Sequence, residues 1–183
     1  MTGVWIAVGI VVIVLLLLAM SYNRLVRLRN STDEAWAQVQ VQLKRRFDLI
    51  PNLVETVKGY ASHERETFLA VTNARTAAMN AKGPVETGQA DNQLPGTLKS
   101  LFALAEGYPD LKANQNFLNL QEELTSTESR IAFARQHYNN TVRDFNTRVQ
   151  SFPSAVVAGI LHFQTRSYFA AEGEAQGRVE ISF

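Results

Sequence analysis

Two stretches of the chain carry apolar residues at alternating intervals of three and four, and this pattern constrains the fold more than any other feature. The first stretch covers residues 29–64 and the second covers about residues 109–152. Such spacing places the apolar side chains on one face of a long helix, as in a coiled coil. The two faces comprise Trp36, Val39, Leu43, Phe47, Ile50, Val54, Val57, Phe117, Leu120, Leu124, Ile131, Tyr138, Val142 and Phe145. We predict an all-α fold in which two long helices pack antiparallel through these residues.

Two helices alone would leave part of each apolar face in water. The remaining area must be covered by the rest of the chain or by another subunit, and the pattern does not decide between them. We therefore expect these residues to form contacts between helices, between subunits, or both. A homo-oligomer is a favoured outcome.

The chain opens with an apolar run, MTGVWIAVGIVVIVLLLLAMSYN, and its first charged side chain is Arg24. About twenty such residues, at ~1.5 Å per residue, span the hydrocarbon core of a bilayer. A cleaved signal peptide is the alternative, because Ala19-Met20-Ser21 fits a small-x-small cleavage site, but the run lacks a basic segment before it. We predict that residues 1–23 form an uncleaved transmembrane anchor.

Three arginines follow the apolar run directly, at Arg24, Arg27 and Arg29, and no basic side chain precedes it. The positive-inside rule then places the N-terminus outside and the rest of the chain in the cytoplasm. These arginines can also contact anionic lipid headgroups. The alternative is that they are simply the solvated first turn of the next helix.

Residues 24–163 are predicted to form the helical bundle. The first long helix either starts anew at Ser31, Thr32 or Asp33 or continues unbroken from the membrane. Because proline disrupts a helix interior, we predict a kink between Phe47 and Pro51, with Asp48 able to cap a restarted helix that runs to about residue 80.

Residues 82–96, KGPVETGQADNQLPG, are rich in Gly, Pro, Asn and Asp and are predicted to be a loop. A short amphipathic helix, TLKSLFALAE, follows the loop. After the second long helix, residues 153–161 either pack on the bundle, which we favour, or lie in the membrane interface. Residues 164–183 are predicted to be a flexible tail.

The residues offer little catalytic chemistry. The chain has no cysteine, and neither an HExxH motif nor a Gly-rich phosphate loop nor a Gly-x-Ser-x-Gly elbow is present. None of its three histidines follows a Glu by three residues, so the ligand motif of di-iron bundles is absent. The formal charge of +1 argues against a nucleic-acid surface. We predict a protein that is not an enzyme and that has no cofactor, metal or nucleic-acid partner.

The polar residues on the two long helices have a structural interpretation. We predict that Glu55, His63, Arg135 and Asn139 lie between the helices, where such groups fix register. A catalytic role for Glu55, His63 and Tyr138 is the disfavoured alternative. Lys44, Arg45 and Arg46 are interpreted as a solvated basic face.

Several segments together resemble one family. They are YNRLVRLRN, DEAWAQVQVQLKRRFDLIPNLVETVKGYASHE, YPDLKANQNFLNLQEEL, and ESRIAFARQHYNNTVRDFN running into FPSAVV. They are similar to the LemA family of bacterial membrane proteins. This resemblance implies one N-terminal membrane helix followed by a long antiparallel helical bundle in the cytoplasm, at the inner membrane, with no established enzymatic activity.

Anchor, bundle and resemblance together suggest two hypotheses for function. The first is a membrane-anchored, non-enzymatic scaffold that self-associates at the cytoplasmic face of the membrane. The second is an adaptor that presents a helical face to a membrane or cytoplasmic protein such as a sensor kinase or a protease. Stoichiometric recovery of a partner would favour the adaptor over the scaffold.

Overall fold

The computed structural model describes residues 1–169, and this part of the chain contains helices and no strand. The all-α class predicted from the sequence is confirmed. The helices, in chain order, are α1 Thr2–Lys58, α2 Arg65–Asn80, α3 Gly83–Asp91, α4 Leu94–Ala105, α5 Pro109–Lys112, α6 Gln115–Gln150 and α7 Ser154–Ile160.

Helix α1 is continuous over 57 residues and includes the whole apolar run. The alternative of a new start at residues 31–33 is wrong, because the Thr32 hydroxyl donates to the Leu28 carbonyl (3.0 Å) inside the helix. The side chains of residues 1–17 are exposed, as lipid-facing side chains must be. By length and composition, α1 is the one described helix that is able to cross a membrane.

The predicted restart near Pro51 is wrong, because α1 runs through this proline to Lys58. The helix interior tolerates the proline since Ile50 and Leu53, on either side of it, are both buried. Burial of one such side chain stabilises by about 1.5–3 kcal/mol, which offsets the ~3 kcal/mol cost of an interior proline. The helix stops after Lys58, and α2 begins only at Arg65, so the predicted continuation to residue 80 is also wrong.

The second long helix also begins later than predicted. Pro109–Lys112 forms the separate short helix α5, and α6 starts at Gln115. Asn114 caps α6, because its side-chain oxygen accepts a hydrogen bond from the Phe117 amide (3.1 Å). An asparagine in this position is a preferred helix start.

The loop predicted at residues 82–96 is wrong, since most of this segment lies in α3 and the first turn of α4. Pro84 stands in the first turn of α3, where no amide donor is needed. The Glu86 carboxylate accepts a hydrogen bond from the Lys82 amide (3.0 Å) at the same end. The buried residues of α3 are Thr87, Gly88 and Asp91, so the helix has a packed face without any large apolar residue.

The chain divides into two compact units, and each contains part of α1 and part of α6. Unit 1 comprises Met1–Ala37 and Gln136–Ser167. Its core is formed by Leu25, Phe145, Val157 and Ala158, which places α7 in the bundle, the alternative favoured from the sequence.

Unit 2 comprises Gln38–Arg135 together with Tyr168 and Phe169. Helices α2, α3 and α4 pack on one another within it. Arg45 of α1 pairs with Glu123 of α6, whereas Tyr60, just after α1, accepts a hydrogen bond from Asn114, just before α6 (2.9 Å). The two helices therefore run antiparallel in this unit. Its fully buried residues include Val39, Ile50, Leu53, Leu94, Leu101, Leu111, Leu124 and Ile131.

Candidate functional site

A buried cluster of charged side chains lies between α1, α3 and α6 in unit 2. Arg46 is 0% exposed, and its Nη1 donates to both carboxylate oxygens of Glu128 (2.9 and 3.1 Å). The Nη2 of Arg46 pairs with Asp91, whose side chain is 2% exposed. Arg135 approaches the other oxygen of Asp91 at 3.4 Å. Two cations and two anions thus balance each other in this cluster.

The electrostatics of the cluster indicate a structural role and not a catalytic one. Burial lowers the pKa of Arg46, and the neighbouring carboxylate of Glu128 opposes that shift. Burial likewise lowers the pKa of Arg135, with Glu128 again opposing. An arginine remains charged in proteins, so neither residue is suited to accept a proton from a substrate. The Phe169 ring covers Arg135, with its centroid 4.4 Å from the guanidinium carbon.

The sequence interpretation missed the parts of Arg46 and Asp91 in this cluster. The interpretation of Lys44, Arg45 and Arg46 as a solvated face is wrong for Arg46, although Lys44 and Arg45 are exposed. The spacing of the buried residues along α1 does indicate that Arg46 lies on the buried face. The fully or almost fully buried positions of this part of α1 are Val39, Leu43, Arg46, Ile50, Leu53 and Val57, at strict intervals of four and three. Arg46 thus occupies a core position of the heptad, which only a buried ion pair makes tolerable.

Four residues were predicted to lie between the helices, and the structure places them differently. Arg135 belongs to the charge cluster, and Asn139 is half-buried. Glu55 and His63 are exposed, and no hydrogen bond or ion pair within residues 1–169 connects either of them to another helix, so the prediction is wrong for these two. Glu55 lies near the end of α1 and His63 in the turn that follows, where side chains point into solvent.

The side chains predicted as contacts on the two apolar faces are covered by other parts of the same chain. Trp36, Val54 and Leu120 are half-buried, and the others are buried. The catalytic alternative drew on residues from both units, since Glu55 and His63 belong to unit 2 whereas Tyr138 belongs to unit 1.

In unit 1, Tyr138 and Asn146 of α6 hold the segment that follows α7. The Tyr138 hydroxyl donates to the Ser167 carbonyl (2.8 Å), and its ring packs on Trp36 at 5.3 Å between centroids. The Asn146 side chain accepts from the Arg166 amide (2.8 Å) and donates to the Arg166 carbonyl (2.9 Å). The tail was predicted to be flexible, yet residues 166 and 167 are bound to α6; residues 170–183 lie outside the described part.

Burial and two neighbouring charges shift the pKa of the Tyr138 hydroxyl. Burial raises the pKa of its hydroxyl, the Arg166 guanidinium opposes this shift, and the carboxylate of Asp33 adds to it. Arg166 and Asp33 form an ion pair at 2.9 Å. A tyrosine that stays protonated and donates to a backbone carbonyl is a structural clamp.

The three arginines that follow the apolar run, Arg24, Arg27 and Arg29, are exposed on α1. Within residues 1–169, no group of three or more histidine, aspartate or glutamate side chains is placed to hold a metal ion. In the described part of the chain, the exposed arginines thus stand directly after the apolar segment of α1.

Comparison with known proteins gives a consistent result. The LemA family matches residues 35–183. Protein LemA of Metamycoplasma hominis is 29% identical over 153 residues, which are 81% of this chain and 68% of the relative. Magnetosome protein MamQ 2 of Paramagnetospirillum magneticum is 25% identical over 178 residues, which cover 83% of this chain and 65% of the relative. The chain thus spans about two thirds of these relatives, and none of their names denotes an enzyme. Because the family matches most of its length, the chain belongs to the LemA family.

Proposed function

We propose that this protein is a non-enzymatic scaffold that is anchored in the membrane by α1 and self-associates at the cytoplasmic face. The observation that carries the proposal is the continuity of α1. The same 57-residue helix begins with a fully exposed apolar segment and ends in the packed core of unit 2. Because α1 is continuous, no loop lies between the apolar segment and the residues of α1 that pack in each unit.

The proposed orientation rests on charge. Arg24, Arg27 and Arg29 follow the apolar segment on its C-terminal side, and the N-terminal side has no basic side chain. This asymmetry favours a cytoplasmic bundle and an external N-terminus in a bacterial inner membrane.

Self-association is supported by exposed apolar side chains of unit 2, and no longer by the two apolar faces, which are buried within one chain. Phe133 on α6 is 74% exposed and Val41 on α1 is 62% exposed. Large aromatic residues are typical anchors of protein interfaces. Confinement to a membrane raises effective concentration, so even weak contacts between bundles build an assembly.

The experiment is a mass measurement of the full chain by light scattering in detergent or nanodiscs. We expect a wild-type particle of several copies, and a lower mass for Phe133→Ser and Val41→Ser. Phe152→Ser is the matched control, because Phe152 is 84% exposed but belongs to unit 1, outside the proposed contact. A wild-type monomer at every concentration contradicts self-association and leaves the adaptor hypothesis.

A further inference from the structure

A cavity of about 570 Å³ lies in unit 1 at the point where the apolar segment of α1 ends. Leu17, Met20 and Pro153 form its apolar wall. Its polar lining residues are Ser21, Asn23, Arg24, Arg27 and Arg148. The cavity thus combines apolar side chains and three guanidinium groups at the C-terminal end of the apolar segment.

No carboxylate lines the cavity. The described part of unit 1 contains three acidic residues, Asp33, Glu34 and Asp144; Asp33 pairs with Arg166 and Asp144 with Arg143, so no ion pair joins any of them to the three arginines of the cavity. This is unlike the cluster around Arg46, where each guanidinium has a carboxylate partner. Three arginines without an acidic partner attract an anion from outside the chain.

Arg148 is the least expected member of this group. It comes from α6, more than a hundred residues after the other two arginines, and its Nε is buried without a hydrogen-bond partner among residues 1–169. Arg148 lines the cavity, and within residues 1–169 its guanidinium has neither a hydrogen bond nor an ion pair, so its charge is available to an anion from outside the chain. Arg143, five residues earlier on α6, instead faces solvent and pairs with Asp144.

The chain next to the cavity also suits a lipid surface. Phe152, Val156 and Ile160 follow Arg148 at intervals of four, and all three are exposed. Val157 and Ala158 of the same segment pack into the core of unit 1. Residues 152–160 therefore have one buried side and one exposed apolar side, as in segments that lie in a membrane interface.

We propose that this cavity binds the headgroup phosphate of an anionic phospholipid of the bilayer that α1 spans. Arg24, Arg27 and Arg148 contact the phosphate oxygens, and Leu17 and Met20 contact the first part of the acyl chains. The site is independent of self-association, because every residue that lines it comes from one copy of unit 1.

The test uses the full chain purified in a neutral detergent and titrated with phosphatidylglycerol or with phosphatidylcholine of the same acyl chains. Native mass spectrometry counts the lipids that each protein retains. We expect preferential retention of phosphatidylglycerol, and a weakening of about fivefold for Arg148→Gln, the usual contribution of one cationic side chain at an anionic membrane surface. Arg24→Gln combined with Arg27→Gln should weaken binding further.

Arg143→Gln is the matched control, since it removes the same charge from the same helix away from the cavity. This variant should retain phosphatidylglycerol like the wild type. Equal retention of the two lipids by the wild type, or equal losses for Arg143→Gln and Arg148→Gln, would overturn the proposal. Displacement of the lipid by millimolar inorganic phosphate alone would also overturn it, in favour of a free anion as the ligand.

Discussion

The two units place arginine side chains in opposite situations. In unit 2, Arg46 is completely buried and pairs with Asp91 and Glu128 from two other helices. In unit 1, Arg24, Arg27 and Arg148 surround a cavity that contains no carboxylate. The same side chain thus fixes the packing of helices where acids accompany it and attracts an external anion where they do not. Four substitutions compare what stabilises each unit, the buried ion pairs of unit 2 against the apolar core and hydrogen bonds of unit 1, in order of decreasing effect.

The largest effect is expected from Arg46→Ala in unit 2. This change leaves Asp91 buried beside only the more distant Arg135 and opens a cavity in the core. Removal of one partner from a buried ion pair costs about 3–5 kcal/mol of unfolding free energy. Thermal unfolding followed by circular dichroism measures the loss. Glu106→Gln, which breaks the exposed pair with Lys112, is the control and should cost less than ~1 kcal/mol.

In unit 1, where the core is apolar, Leu25→Ala should have an effect of about 2–5 kcal/mol. Leu25 is fully buried against Phe145, Val157 and Ala158, so the substitution removes apolar contacts and leaves a cavity. The same thermal measurement applies. A loss no greater than that of an exposed leucine, such as Leu69→Ala, would contradict the packing described for unit 1.

Asn146→Ala should cost about 1–2 kcal/mol, because both hydrogen bonds to the Arg166 backbone are lost. The segment after α7 should then become accessible to proteolysis near residue 166, a readout that global stability does not give. Asn140→Ala, at an exposed position of the same helix, should leave both the stability and the cleavage pattern unchanged.

Tyr138→Phe gives the smallest effect and a distinctive pH dependence. Loss of the hydrogen bond to Ser167 should cost about 1 kcal/mol near pH 8. In the unfolded chain tyrosine ionises at about pH 10, whereas burial raises the pKa of Tyr138 in the fold. The wild type therefore loses stability as pH rises above 10, and Tyr138→Phe lacks this component. The stability difference should narrow from pH 8 to pH 11, and a constant difference would contradict the burial of this hydroxyl.

The sequence predicted those features that depend on repeated patterns. The apolar run, the two long helices, their antiparallel pairing and the all-α class each rest on many residues, so one exception does not change the result. The features missed depend on one or a few residues. Arg46 is a charged residue at an apolar position of α1. It is tolerated there because Asp91 and Glu128, 45 and 82 residues later, pair with it, and no local sequence rule identifies such distant partners.

The segment around α3 illustrates the same limit. Glycine, proline and aspartate ordinarily indicate a loop, but tertiary contacts decide otherwise here. Asp91 at the end of α3 pairs with Arg46, and Thr87 and Gly88 are buried on the same helix. Pro51 is comparable, since the burial of Ile50 and Leu53 holds α1 together where local propensity predicts a break.

The distance along the chain between Arg46 and its partners has a consequence for folding order. Helix α1 is synthesised first, but Glu128 is added 82 residues after Arg46. At about 5–20 residues per second, Arg46 waits several seconds for this partner. Asp91 is added sooner, 45 residues after Arg46, but collapse around α1 before either acid has been made would bury an unpaired cation, which is strongly unfavourable. We therefore expect the guanidinium to keep this part of α1 hydrated until α3, and then α6, supply its partners.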